Sequence, residues 1–254
     1  MFYRAWWIVL SPIIRLYWRI RVVGRENLPR RGGVILASNH QSGLDPVVVG
    51  GIVNRPIYWL AKIEYVVTPR VAWFFKSVGV IPVNRDAPEH VAIERAAETV
   101  RAGKIFGIYP EGTRSPDGRV YRGYTGVARI AAMSGARVVP CGVLNTREAL
   151  PKGKIMARPL KCEVRFGPAL YFKIGTGEDP HEAYRRFTDE VMEAIASLTG
   201  KELVLDPTHA NLGAPPANVS TPEFERAPEG RPFEFWNAYL FNRNCEYCVS
   251  ILAS

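Results

Sequence analysis

Through its first 205 residues the chain alternates short apolar runs with stretches whose apolar residues recur every three or four positions. Residues 33–38, 57–62 and 105–109 read as buried strands, and a further strand follows Gly79 and ends at Asn84-Arg85. Thr68-Pro69 and Asp179-Pro180 each place an N-capping side chain before a proline in the first helical turn, while Gly103, Gly135 and Gly200 stand where helices should stop. These signals predict helices over 69–77, 88–102, 125–134 and 180–199. Strands alternating with helices imply an α/β fold, a mixed β-sheet covered by helices, with strand order left open.

The two ends depart from that rhythm. From Trp6 to Tyr17 the chain is mostly apolar, but Arg15 interrupts the run and Arg19 closes it, well short of the ~20 apolar residues a spanning helix needs. On a helix at about 100° per residue, Trp7, Leu10, Ile14 and Trp18 share one side and Arg4, Arg15 and Arg19 gather on another. That is the pattern of an interfacial amphipathic helix lying on a membrane; the competing reading packs its aromatic side on the protein's own core. Pro12 is expected to bend it into two short helices. After Leu205, Asp206-Pro207, Ala214-Pro215-Pro216 and Ala227-Pro228 read as a linker over 206–230, followed by an aromatic tail containing Phe233, Trp236 and Tyr239. The expected organisation is therefore a membrane-interface helix over 1–20, a catalytic domain over 21–205 and a linker with tail over 206–254.

A chain of 254 residues suits one sizeable α/β domain. The formal charge is +9, and the first 40 residues hold seven arginines against one glutamate, which suits an anionic membrane surface. No nucleic-acid-binding motif accompanies that charge, so no nucleic-acid partner is expected. Six tryptophans lean the same way, towards lipid or a bulky apolar ligand. Four cysteines lack secreted-scaffold density, and Cys245-x-x-Cys248 stands without a second pair or nearby histidine, so neither a metal nor a redox role is expected and a reducing, cytoplasmic setting is.

Chemistry concentrates in two loops. In Asn39-His40-Gln41-Ser42-Gly43-Leu44-Asp45, His40 is a candidate general base and Asp45 a carboxylate that can hold its other nitrogen. Five residues are about 140° apart on a helix, so the pair must straddle a turn rather than share a helical face. Asp45-Pro46 fits a helix N-cap, which would leave one carboxylate oxygen for the cap and the other for His40. Ser42 lacks the glycine-flanked elbow of a nucleophile, favouring direct transfer without a covalent intermediate. The competing reading makes Asp45 a plain cap and His40 a structural histidine.

Glu111-Gly112-Thr113-Arg114 follows a strand and precedes the Ser115-Pro116-Asp117-Gly118 turn, placing convergent polar groups at a sheet edge. Arg114 can grip a phosphate with two hydrogen bonds, Thr113 and the Gly112 backbone can add donors, and Glu111 can fix the arginine or a neighbouring hydroxyl. Arg85, Lys62 and Arg122 are further candidates for a cationic pocket.

These two segments, with Ile81-Pro82-Val83-Asn84-Arg85 between them and Val138-Val139-Pro140 beyond, form an ordered set of four blocks that resembles the glycerolipid acyltransferase family, including its lysophosphatidate acyltransferases. The resemblance covers roughly residues 20–200 and departs at Tyr109, where phenylalanine is common. It implies a glycerol-3-phosphate acyltransferase-like fold, with His40 and Asp45 catalytic, Arg85, Glu111, Gly112 and Arg114 binding the acceptor, and Pro140 in a block on the acyl-donor side. The expected reaction moves an acyl group from acyl-CoA or acyl carrier protein to 1-acyl-glycerol-3-phosphate, a lysophospholipid acceptor, giving phosphatidic acid at the cytoplasmic face of the cell membrane without metal or cofactor. Another lysophospholipid or glycolipid acceptor, a thioester hydrolase and a non-catalytic lipid- or nucleic-acid-binding protein are the alternatives.

Overall fold

The computed structural model describes residues 2–62, 80–83, 89–154 and 156–205. The expected helix over 69–77, Arg85, the linker, the tail and the C-x-x-C pair lie outside the described residues. The N-terminal helix α1 (Phe2–Tyr17) leads into β1 (Arg21–Val23) and a 3-10 turn. There follow β2 (Val34–Ser38), α2 (Asp45–Ile52), β3 (Ile57–Lys62), β4 (Val80–Val83), α3 (Glu89–Arg101) and β5 (Ile105–Ile108). The remainder comprises β6 (Val120–Tyr121), α4 (Gly126–Ser134), β7 (Val138–Leu144), α5 (Thr146–Ala149), β8 (Glu163–Phe166), α6 (Pro180–Thr199) and β9 (Leu203–Val204).

Seven strands form a mixed sheet in the order β1-β8-β7-β2-β5-β3-β4, parallel throughout except for the β7–β8 pair. The strand β2 lies inside the sheet, with Ala37 paired to Ile108 of β5 on one side and Pro140 of β7 on the other. All five of its residues are buried, which explains why it reads as an unbroken apolar run rather than an alternating one. Its alternate side chains still serve two different cores. Ile35 and Ala37 pack with residues of α3, α4 and α6, whereas Val34 and Leu36 pack with α2 and the opposite face of the sheet. A small parallel pair, β6 with β9, lies apart from this sheet.

The expected caps behave unequally. Asp179 caps α6 by accepting from the amides of His181 and Glu182, and Gly135 and Gly200 end α4 and α6 in the left-handed region. Asp45 does not cap α2: the helix begins at Asp45 itself, behind Leu44, and the carboxylate turns back to the preceding loop. The short strands β1, β6 and β9, and the antiparallel β8, carry too few residues for a periodic signal to announce them.

Helix α1 corrects two expectations. It runs through Pro12 as one element, because the chain is tied to α2 on both sides of the proline: Ser11 Oγ donates to Gly51 O at 2.6 Å, and Arg15 Nε and Nη2 donate to Gly51 O and Ile52 O at 3.1 and 3.2 Å. Those carbonyls end α2 and need donors, so the polar residues of α1 turn inward. The expected outward stripe of Trp7, Leu10, Ile14 and Trp18 is half-buried instead. The exposed face carries Ile8, Val9, Ile13 and Leu16, at 64%, 61%, 58% and 79% exposure. No helix among the described residues is long and apolar enough to cross a membrane.

Candidate active site

Three adjacent strands deliver the site at their C-terminal ends, the edge where open α/β sheets place ligands. His40 follows β2, Tyr109 and Glu111 follow β5, and Thr146 follows β7. Asn39 fixes the geometry from below: its amide exchanges two hydrogen bonds with the backbone of Val143, at 2.9 and 2.7 Å, locking the end of β2 to β7.

His40 Nδ1 lies 2.8 Å from Asp45 Oδ2. A carboxylate only accepts, so Nδ1 carries the proton and donates it, leaving Nε2 as the basic nitrogen. The Asp45 side chain is fully buried whereas that of His40 is 20% exposed, so the pair presents its base, not its acid, to solvent. The buried charge is matched atom by atom. Oδ2 also accepts from the amides of Gln41 and Ser42 at 2.7 and 2.9 Å, and Oδ1 accepts from Thr146 Oγ1. A carboxylate at the first position of α2 is further favoured by the helix dipole.

The imidazole ring is held on its face as well as its edge. Tyr109 stacks on His40 with centroids 4.0 Å apart, and Trp59 stacks on Tyr109 at 4.8 Å. Glycine at 107 makes this possible, since a Cβ there would stand 2.5 Å from the Trp59 ring. Burial pushes the Tyr109 hydroxyl well above its ordinary range, and it has no hydrogen-bond partner among the described residues.

Glu111 does not reach for Arg114. Its buried carboxylate accepts from His40 N at 3.0 Å and Tyr121 N at 3.1 Å, sewing the loop to the strand end that carries His40. Ser115 N donates to His40 O at 2.8 Å and adds a second stitch. Burial pushes the Glu111 carboxyl up to about 7, against the lowering pull of those two amides. Gly112, at φ +70, makes the turn, and its amide is used within it, donating to Tyr109 O at 3.0 Å.

Thr113 and Arg114 are exposed, and their side chains make no hydrogen bond or ion pair among the described residues. Arg114 lines an open cleft of about 410 Å³ with Gln41, Ser42, Ser115, Pro116, Arg147, Glu148, Pro151 and Lys152. Ser42 Oγ is occupied, donating to Leu150 O at 2.8 Å. Arg122 is committed elsewhere, binding Asp189 on α6 through two nitrogens at 3.3 and 3.1 Å, beside Arg185. Lys62 ends β3 at the same sheet edge, its side chain outside the described atoms, as is all of Arg85. Pro140 is buried within β7, where its carbonyl accepts from Gly167 N at 2.9 Å. Asn39, Thr146, Arg147 and the Trp59–Tyr109 stack escaped the sequence reading because their partners lie far along the chain, as in the 101-residue separation of Thr146 from Asp45.

A family model described as Acyltransferase matches residues 19–144. The chain is 31% identical over 158 residues to the 1-acyl-sn-glycerol-3-phosphate acyltransferase of Bacillus subtilis (strain 168), a match covering 59% of this chain and 78% of that protein. It is also 31% identical over 140 residues to a chloroplastic 1-acyl-sn-glycerol-3-phosphate acyltransferase of Arabidopsis thaliana, covering 54% of this chain but only 39% of that protein. The crystal structure of the 1-acyl-sn-glycerophosphate acyltransferase PlsC from Thermotoga maritima superposes with a TM-score of 0.59 at 26% identity, covering 78% of this chain and 82% of that one.

Proposed function

The chain belongs to the acyltransferase family, and we propose that it transfers a fatty acyl group from acyl-CoA or acyl carrier protein to the free hydroxyl of 1-acyl-glycerol-3-phosphate, yielding phosphatidic acid. The observation that carries this reading is the His40–Asp45 pair, with a solvent-facing imidazole and a saturated buried carboxylate, set beside a cleft whose Arg114 makes no ion pair among the described residues. The names of the relatives supply the acceptor.

In the proposed cycle, His40 Nε2 removes the acceptor hydroxyl proton as the oxygen attacks the thioester carbonyl. The carbon–sulfur bond breaks on collapse, and the imidazolium returns its proton to the departing thiolate. Asp45 stabilises that imidazolium and keeps the tautomer fixed. No acyl-enzyme forms, consistent with a Ser42 hydroxyl already donating to Leu150 O. Arg114 holds the acceptor phosphate, so the arrangement works largely by positioning.

Thiol release from oleoyl-CoA is the test, in wild type and His40→Ala, with and without 1-acyl-glycerol-3-phosphate and with phosphatidic acid followed by mass spectrometry. The expected result is acceptor-dependent release that falls by about 10²- to 10⁴-fold in the variant. Acceptor-independent release would replace the reading with a thioester hydrolase.

The enzyme is further proposed to work on a membrane surface, seated through the exposed Ile8, Val9, Ile13 and Leu16 face of α1. Replacing Ile13 and Leu16 by aspartate in the full chain should weaken co-sedimentation with anionic vesicles by about tenfold or more, given the apolar burial each side chain would lose. Unchanged sedimentation would remove this part of the reading.

A further inference from the structure

Arg147 is the second residue of α5, immediately after the threonine that holds Asp45. While Thr146 turns into the buried network, the Arg147 guanidinium crosses to the loop that carries Arg114, where Nη2 donates to Pro116 O at 2.6 Å. The crossing runs beside Gly118, where a Cβ would stand 3.6 Å from Nη1 and 3.5 Å from Gln41 Oε1. Nη1 is buried and has no hydrogen-bond partner among the described residues. A guanidinium offers five donors in a planar fork, and withdrawing them from water is unfavourable unless they meet acceptors.

The charges around it are equally unbalanced. Arg114, Arg147 and Lys152 line the same cleft with Glu148, and none of the three cations makes an ion pair among the described residues. Arg114 comes from the β5 side of β2 and Arg147 from the β7 side, so the two guanidinia approach the cleft from the two flanks of the strand that ends at His40. Two arginines converging from different directions suit a tetrahedral dianion, which offers each of them a pair of oxygens.

We propose that Arg147 is the second arginine of a phosphomonoester site, gripping with Arg114 the phosphate of the acceptor while His40 faces the acceptor's hydroxyl. The proposal rests on the acyltransferase reading. The position favours the acceptor over the donor: the cleft is walled by Gln41 and Ser42, the two residues that follow His40, and in 1-acyl-glycerol-3-phosphate only the glycerol separates the phosphate from the reacting hydroxyl. The phosphates of coenzyme A lie a whole pantetheine arm from the thioester carbon.

Two measurements on the full chain test this, for wild type, Arg147→Gln and Arg147→Lys: binding of glycerol 3-phosphate by calorimetry, and separate KM values for 1-acyl-glycerol-3-phosphate and oleoyl-CoA. Arg147→Gln should weaken glycerol 3-phosphate binding and raise the acceptor KM by about 10- to 100-fold, with the oleoyl-CoA KM within about twofold of wild type. Arg147→Lys should recover part of the loss, keeping the charge without the fork. A rise confined to the oleoyl-CoA KM would overturn the proposal in favour of donor phosphates. Unchanged glycerol 3-phosphate binding, with a lowered unfolding temperature and a fall in kcat alone, would reduce Arg147 to a strut on Pro116. Arginine-dependent glycerol 3-phosphate binding by a wild type that cleaves no thioester would uphold the phosphate site while removing the acyltransferase reading.

Discussion

Asp45 and Arg114 are both charged and both belong to the candidate site, yet they are treated in opposite ways. Asp45 is wholly buried, and its two oxygens accept from the imidazole, two backbone amides and a hydroxyl. Arg114 is exposed with its guanidinium unengaged among the described residues. On the proposed function, the difference separates two requirements. A base must hold one orientation before substrate arrives, so the protein supplies every contact itself; a phosphate-binding side must stay open, so its partner is left for the ligand to bring. Glu111 belongs to the first class despite its place in the second loop, because its oxygens accept from the backbone amides of His40 and Tyr121.

The largest effect is expected where the closed side is altered without loss of volume. In Asp45→Asn one of the two carboxylate oxygens becomes an NH2, which meets either the three donors gathered on Oδ2, from His40, Gln41 and Ser42, or the Thr146 hydroxyl at Oδ1, which can turn to accept. The second arrangement keeps an oxygen on His40 Nδ1 but removes the negative charge that stabilises the imidazolium, and turnover should fall by about 10²- to 10⁴-fold, read as kcat for thiol release. A loss below about tenfold would break the comparison, since Asp45 would then be a structural carboxylate and not the orienter of a base.

Legibility in the sequence divides along the same line. The long helices and the apolar strands were readable because period and capping act locally: α6 occupies the predicted 180–199, and β2 falls within one residue of its predicted start. The His40–Asp45 pair was readable because a five-residue spacing across a turn is itself local. What surrounds the pair was not. Asn39 to Val143, Thr146 to Asp45 and Glu111 to His40 are contacts between loops at the ends of adjacent strands, and strand order could not be read beforehand. The same blindness gave Arg122 to the pocket when Asp189, on a helix near the end of the domain, holds it. It also turned α1 around, since nothing local reveals that the last carbonyls of α2 need Ser11 and Arg15.

A second prediction sharpens the place of Glu111. Its carboxyl is raised from 4.5 to about 7 by burial, so the folded protein holds that proton where the unfolded chain has released it. The sign follows: the contribution to stability is fully present below about pH 4.5 and is lost as pH rises through about 7. Urea unfolding at about pH 5 and about pH 8 should show wild type losing on the order of 3 kcal/mol relative to Glu111→Gln, which has no such proton to release. Parallel curves for the two proteins would assign the carboxyl an ordinary titration and make Glu111 a neutral brace only.

Two threonines bring the comparison to its finest test. Thr146→Val keeps the shape of the side chain and deletes the donor to Asp45 Oδ1, leaving one buried charged oxygen without that partner. The cost should be about 1–3 kcal/mol of stability with a roughly tenfold loss of kcat as the carboxylate loosens its hold on His40. Thr113→Val makes the same exchange on the open side, where the hydroxyl has no partner among the described residues to lose. Its stability should stay within about 0.5 kcal/mol of wild type, and any change should fall on the acceptor KM. Thermal unfolding with steady-state kinetics on both variants reads the contrast directly. If Thr113→Val lowered kcat as much as Thr146→Val, the open loop would be part of the preorganised machinery, and the division between a finished base and an unfinished binding wall would fail at the position where it predicts least.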